Sequence, residues 1–210
     1  DQGEVSTDEH RIDLLELELE LKQGDVEVLF QLAQDLAQQC PVLMSDISKA
    51  ERGYGLLALS EKFKGIQKDW QDKVPSLKTE QGLLANVSEF FAYQLSVWQR
   101  SLEFAIWDQK SELNEVVITQ AQEIKNLLAL FSSIDCLPEV QLLQRQLSLV
   151  ENAEITVARL WGQLTIACGH WLFKLADDNS ELAMTAAEQG DMLRHVEKLE
   201  KQLDARKLVK

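Results

Sequence analysis

The chain has 210 residues, enough for one ordinary domain or two small ones with a substantial core. Its 3 prolines and 9 glycines are too few for a β-sandwich or an α/β fold, which need many turns. Because strong helix formers dominate the composition, we predict an all-α protein. The formal net charge of −14 repels phosphates, so neither nucleic acid nor an anionic membrane is an expected partner.

About half of this charge lies at the amino-terminal end, where residues 1–25 carry nine acidic side chains against Arg11 and Lys22. A charge run of this kind is typical of a solvated face. We therefore expect residues 1–7 to be a frayed acidic terminus.

The next stretch, "EHRIDLLELELELKQGD", can be interpreted in two ways. Leucine alternates with glutamate, which is the period of a strand. Leucine and glutamate also favour helices, and Leu14, Leu17 and Leu21 share one helical face. We predict a short helix over residues 8–22 that ends at Gly24.

Three further segments show apolar residues at helical spacing, separated by Pro41, by a looser stretch at 53–60 and by Pro75. The predicted apolar faces are Val26, Phe30, Ala33 and Ala37, then Ile47, Ala50, Tyr54 and Leu57, then Phe63, Ile66, Trp70 and Val74. We predict a helix for each of the three.

Residues 88–107 contain three Phe, two Trp and one Tyr. Two parallel apolar stripes pass through this stretch: Leu84, Phe91, Leu95, Trp98, Leu102 and Ala105, and Phe90, Val97 and Phe104. Two adjacent stripes give a helix a broad buried face that contacts several neighbours. We therefore interpret the aromatic residues as core rather than as a cage for a flat ligand.

The carboxy-terminal half continues the heptad pattern, with a break predicted at 134–138 and a turn at 176–181. The predicted core positions are Val117, Ala121, Ile124, Leu128 and Phe131; Val140, Leu143, Leu147, Val150, Val157, Trp161, Leu164, Cys168, Trp171 and Leu175; and Leu182, Ala186, Leu193, Val196 and Leu203. The phase of the pattern shifts near residues 111–116, which is a candidate sub-boundary.

Motifs for chemistry are missing from the sequence. Cys168 and His170 are two residues apart, so on a helix they point about 200° away from each other and cannot share a metal directly. The three cysteines form no disulfide framework, and no GxGxxG, GxxxxGK[ST] or GxSxG occurs. We predict no catalytic residue, no metal site and no cofactor.

Three positions depart from the generic pattern. Glu154 interrupts an otherwise apolar seam, as a polar residue that sets helix register would. Gly162 and Gly169 are one heptad apart, although glycine costs about 1 kcal/mol inside a helix relative to alanine. We predict that these three residues set register or permit the close approach of a neighbouring backbone or a partner.

We predict an elongated antiparallel bundle, with one domain over residues 8–208, that acts as a non-catalytic cytoplasmic scaffold for another protein. The chain is expected to be a fragment of a larger protein, and a homodimer is compatible with it. The helix pattern is also similar to the ligand-sensing extracytoplasmic bundles of receptors, to dimeric BAR-type modules and to spectrin-like repeats. These resemblances imply a ligand sensor or a structural module as alternatives.

Overall fold

The computed structural model describes residues 1–8, 11–45, 47–56, 74–78, 80, 82–108, 111–131, 138–150, 159–177 and 185–208. The elements are β1 (Gln2–Ser6), β2 (Arg11–Leu15), α1 (Glu27–Gln39), α2 (Lys49–Leu56), α3 (Leu83–Asp108), α4 (Ser111–Ala129), α5 (Pro138–Val150), α6 (Arg159–Asp177) and α7 (Ala186–Leu208). The protein is mostly helical, which confirms the all-α prediction in its coarse form, with a small sheet added. The elongated antiparallel arrangement stays a prediction.

The amino-terminal end is a β-hairpin rather than a frayed segment followed by a helix. Strands β1 and β2 pair antiparallel, with Gln2 opposite Leu15 and Ser6 opposite Arg11. The predictions for residues 1–7 and 8–22 are therefore wrong. Helix propensities differ by less than about 1 kcal/mol per residue among ordinary residues, so pairing with a second strand outweighs them.

Helix α1 follows a turn at Gly24, whose φ of 110° lies in the left-handed region that favours glycine. The helix packs against α6 through Ala37, which is fully buried, and through Phe30. The Phe30 ring stacks on His170, with 4.8 Å between the ring centroids. This contact anchors the helix that follows the hairpin to the helical body.

The core lies among α3, α4, α5, α6 and α7. The predicted stripes of α3 are at most 5% exposed from Phe90 to Ala105: Phe90, Phe91, Leu95, Val97, Trp98, Leu102, Phe104 and Ala105. The described seam residues of α4 and α5 are buried in the same way. The rings of Trp98 and Trp161 lie 6.2 Å apart, and Phe91 and Phe131 both contact Trp171. The interpretation of the aromatic residues as core is confirmed.

Two predicted faces are wrong in detail. Tyr54 is 69% exposed and Leu193 is 43% exposed. Helix α7 buries the predicted Val196, and it buries Met192 and Leu199 where Leu193 and Leu203 were predicted.

Other predicted core positions, Phe63, Ile66, Trp70, Val157 and Leu182, lie outside the described residues. Helix α3 ends and α4 begins near the candidate sub-boundary at 111–116, and the division into domains stays a prediction. Among the described residues, none of the helices combines the length and the apolar character that a membrane span requires.

Candidate functional site

Three carboxylates converge where the hairpin continues beyond its regular strands. The backbone N–H of Glu16 donates to the carbonyl of Asp1 at 2.8 Å, which adds one more rung to the pairing of β1 with β2. Asp1 is thus held opposite Glu16. Glu18 follows two residues later in the chain, beyond the end of β2 at Leu15. Carboxylate oxygens of Asp1, Glu16 and Glu18 lie within 4.8 Å of one another.

The ammonium group of Lys49 sits among these three carboxylates. It forms ion pairs with Glu18 at 3.2 Å, with Glu16 at 3.3 Å and with Asp1. Hydrogen bonds to Glu18 and Glu16 raise the pKa of Lys49 above its ordinary value of 10.5. The site therefore combines three acceptors with one permanent positive charge.

Lys49 is placed by the start of helix α2. The hydroxyl of Ser48 accepts from the backbone N–H of Glu51 at 3.1 Å, which is the contact of an N-cap. The sequence "SKAE" has the spacing of a capping box, a signal that our sequence analysis missed. The cap fixes Lys49 as the first helical residue, directed at the hairpin.

A second polar cluster links the same helix to the body of the protein. Arg52 forms an ion pair with Glu103 of α3 at 3.0 Å, and the two side chains are only 10% and 9% exposed. The Ser45 hydroxyl donates to Glu103 at 2.6 Å and accepts from Arg52 at 3.1 Å. A more exposed pair, Arg100 with Glu51 at 2.6 Å, joins the same two helices.

The carboxylate cluster is chemically suited to a hard divalent cation. Mg²⁺ and Mn²⁺ prefer carboxylate oxygens, and Mg²⁺ is typically bound by one or two carboxylates together with substrate phosphates. The three converging oxygens are of the right kind and spacing to hold such an ion, and the ammonium group of Lys49 lies beside them. Neither feature was found by sequence reasoning, because Asp1 and Lys49 are far from Glu16 and Glu18 in the chain.

The histidine beside Cys168 has a structural contact. Nε2 of His170 lies 2.6 Å from Glu27, and the amide of Gln34 lies 3.1 Å from its Nδ1. The hydrogen bond from His170 lowers the pKa of Glu27. Cys168 is fully buried, and burial raises the pKa of its thiol to about 12, as expected for an inert core residue.

The predicted interaction positions lie away from the carboxylate cluster. Gly162 and Gly169 face the segment after α1: an added Cβ would lie 1.8 Å from the Val42 carbonyl oxygen at Gly162 and 2.7 Å from Met44 Cε at Gly169. Glu154 lies outside the described residues. A role for these positions in binding a partner stays a prediction.

Comparison with known proteins gives an informative similarity. No family model matches the chain. A protein of Haemophilus influenzae named inorganic triphosphatase is 27% identical in an alignment of 158 residues that covers 63% of this chain and 45% of that protein. The chain thus spans less than half the length of this relative.

This similarity corrects two predictions. We expected a non-catalytic scaffold, with a sensor or a structural module as alternatives, and we expected that the chain is not an enzyme. Both expectations are wrong, because the relative is named as an enzyme that acts on a phosphate compound. Lys49 lies far in the chain from Asp1, Glu16 and Glu18, so no short sequence motif marks this site.

Proposed function

We propose that this chain is part of a metal-dependent phosphohydrolase that cleaves inorganic triphosphate. The similarity to the Haemophilus influenzae inorganic triphosphatase carries the proposal. The cluster of Asp1, Glu16 and Glu18 with Lys49 supports it, since the cluster offers ligands for a divalent cation next to a cation for the substrate.

The reaction requires water to attack a terminal phosphorus while the bond to the bridging oxygen breaks, so that phosphate and diphosphate leave. A bound Mg²⁺ or Mn²⁺ supplies charge neutralisation for the phosphate oxygens and orients the substrate. Asp1, Glu16 and Glu18 would hold this cation. Lys49 donates to a phosphate oxygen and stabilises the negative charge that develops on it.

The ion pairs of Lys49 also keep the site organised before substrate arrives. Its ammonium group separates three carboxylates that would otherwise repel one another. Carboxylates that held a divalent cation would no longer need this counter-ion, and Lys49 would then donate to a phosphate oxygen of the substrate.

The test is an assay of phosphate release by the purified chain, with inorganic triphosphate, diphosphate and ATP as substrates. We expect release from triphosphate in Mg²⁺ or Mn²⁺, at least about tenfold faster than from the other two, and abolished by a chelator. Calorimetry with triphosphate and Mn²⁺ measures binding in parallel. A chain that neither binds nor cleaves triphosphate in the presence of metal would contradict the proposal.

A further inference from the structure

Helix α2 has few means of holding its own position. It has only eight residues, and isolated helices this short are marginal in water. The side chains of Ala50 and Tyr54 are exposed, so residues 49–54 of this helix, whose burial is described, show no apolar stripe of the kind that attaches most surface helices to a core. Other contacts must therefore fix the helix that carries Lys49.

Among the described residues, α2 makes an apolar contact with β1 and ion pairs with α3, and the pair of Arg100 with Glu51 is the more exposed of these ion pairs. On one side, Gly53 approaches Val5 of strand β1, where an added Cβ would be in ordinary contact with the valine at 3.6 Å. On the other side, the ion pair of Arg52 with Glu103 is buried, and the Arg52 guanidinium also lies 5.6 Å from the centre of the Trp107 ring. The contact with β1 is apolar and small, whereas the contact with α3 is charged and directional.

We propose that Arg52 and Glu103 are positioning residues for the Lys49 ammonium group: their buried ion pair fixes α2 on α3 and so holds Lys49 against the three carboxylates. Lys49 and Arg52 are three positions apart on the same helix and therefore neighbours on its surface. A rotation or shift of the helix thus moves both side chains together. The inference deepens the proposed function and rests on it for its catalytic meaning.

The geometry of the ion pair favours a fixed helix over a sliding one. Ser45 contacts both charges, as a donor to Glu103 and as an acceptor from Arg52. Its hydroxyl also accepts from the backbone N–H of Ile47 at 3.2 Å, and the Ile47 side chain is 3% exposed. The segment that enters α2 is thereby held by the same network as the helix itself.

The first experiment uses Glu103→Gln, which keeps the shape of the side chain and removes its charge. The position of the Lys49 side chain is measured by NMR contacts between its Cε protons and the side chains of Glu16 and Glu18, with the resonance assigned through Lys49→Arg. We expect these contacts to be lost in Glu103→Gln, because the ammonium group leaves the carboxylates. We also expect kcat for triphosphate to fall at least about tenfold, with a smaller change in KM.

A matched control separates positioning from general destabilisation. Leu147→Ala removes a buried side chain of α5 and lowers the melting temperature without touching α2. We expect this variant to keep the wild-type NMR contacts of Lys49 and the wild-type kcat when assayed well below its melting temperature. The charge-reversed double variant, Arg52→Glu with Glu103→Arg, is expected to recover part of both quantities, since Ser45 can donate or accept.

The outcomes are distinguishable from those for the proposed function. A folded Glu103→Gln protein with unchanged NMR contacts between Lys49 and the carboxylate side chains would overturn the inference, because the contact with β1 and the ion pair of Arg100 with Glu51 would then suffice. If Glu103→Gln does not fold, Ser45→Ala should weaken the same NMR contacts, and its failure to do so would count equally against the inference. A wild-type chain without triphosphatase activity overturns the proposed function, while these contacts still decide how Lys49 is held.

Discussion

Replacing Glu18 with Gln is expected to lower kcat/KM for inorganic triphosphate at least about 100-fold, which corresponds to about 2.7 kcal/mol of transition-state stabilisation. The amide keeps the size of the side chain but removes the negative charge that a divalent cation requires. Glu16→Gln should have an effect of the same order, because Glu16 and Glu18 both form ion pairs with Lys49 and belong to the same carboxylate cluster. Phosphate release over a range of Mg²⁺ concentrations measures both variants.

The control for Glu18 is Glu20→Gln. Glu20 lies two residues after Glu18 in the chain. Its side chain is exposed to a similar degree, 72% against 70% for Glu18. Its recorded ion pair is with Lys22, which is exposed, and such pairs contribute little. We expect less than a twofold change in kcat/KM. Equal activity in Glu18→Gln and Glu20→Gln would show that the cluster is not the site of catalysis.

Gly162→Ala is expected to destabilise the protein by about 3 kcal/mol, the upper end of the usual cost of overpacking. An added Cβ would lie 1.8 Å from the carbonyl oxygen of Val42. That oxygen belongs to the backbone, so relief requires the whole segment between α1 and α2 to lift from α6. The midpoint and slope of urea denaturation measure the effect.

Two other glycines provide matched controls on the same assay. At Gly169 an added Cβ would meet the terminal methyl of Met44, which can rotate away, so Gly169→Ala should change stability by no more than about 1 kcal/mol. At Gly190 of α7 an added Cβ would make an ordinary contact with Arg194 at 3.5 Å, so Gly190→Ala should stabilise the protein by about 0.5–1 kcal/mol. A Gly162→Ala variant as stable as Gly190→Ala would contradict the described packing.

The helical core was predictable because its signal repeats. In α3 the apolar residues recur every three or four positions over many turns, and those from Phe90 to Ala105 are buried. Short or terminal segments carry fewer repeats, and there a shift of one residue goes unnoticed. This is why Leu193 was expected in the core in place of Met192.

The hairpin was not predictable from the same pattern. The alternation of leucine and glutamate fits a strand, but leucine and glutamate also favour helices, so only the partner strand decides between them. That partner, β1, lies in a segment with no strong pattern of its own. Residues two positions apart point in nearly opposite directions on a helix, so the predicted helix did not bring Glu16 and Glu18 together.

The candidate site was missed for a second physical reason. Lys49 contacts residues 31 and 48 positions away in the chain, and no local motif records such contacts. The net charge of −14 predicts that the protein repels phosphates. A divalent cation bound by the carboxylates would reverse the sign of the local charge that a triphosphate meets.

The most direct test of the account is a crystal structure of the chain grown with Mn²⁺ and inorganic triphosphate, with anomalous scattering used to locate the manganese. The account predicts an anomalous peak bound by carboxylate oxygens of Asp1, Glu16 and Glu18, with Lys49 turned to a phosphate oxygen. Manganese and triphosphate bound elsewhere, with the ion pairs of Lys49 intact, would contradict it.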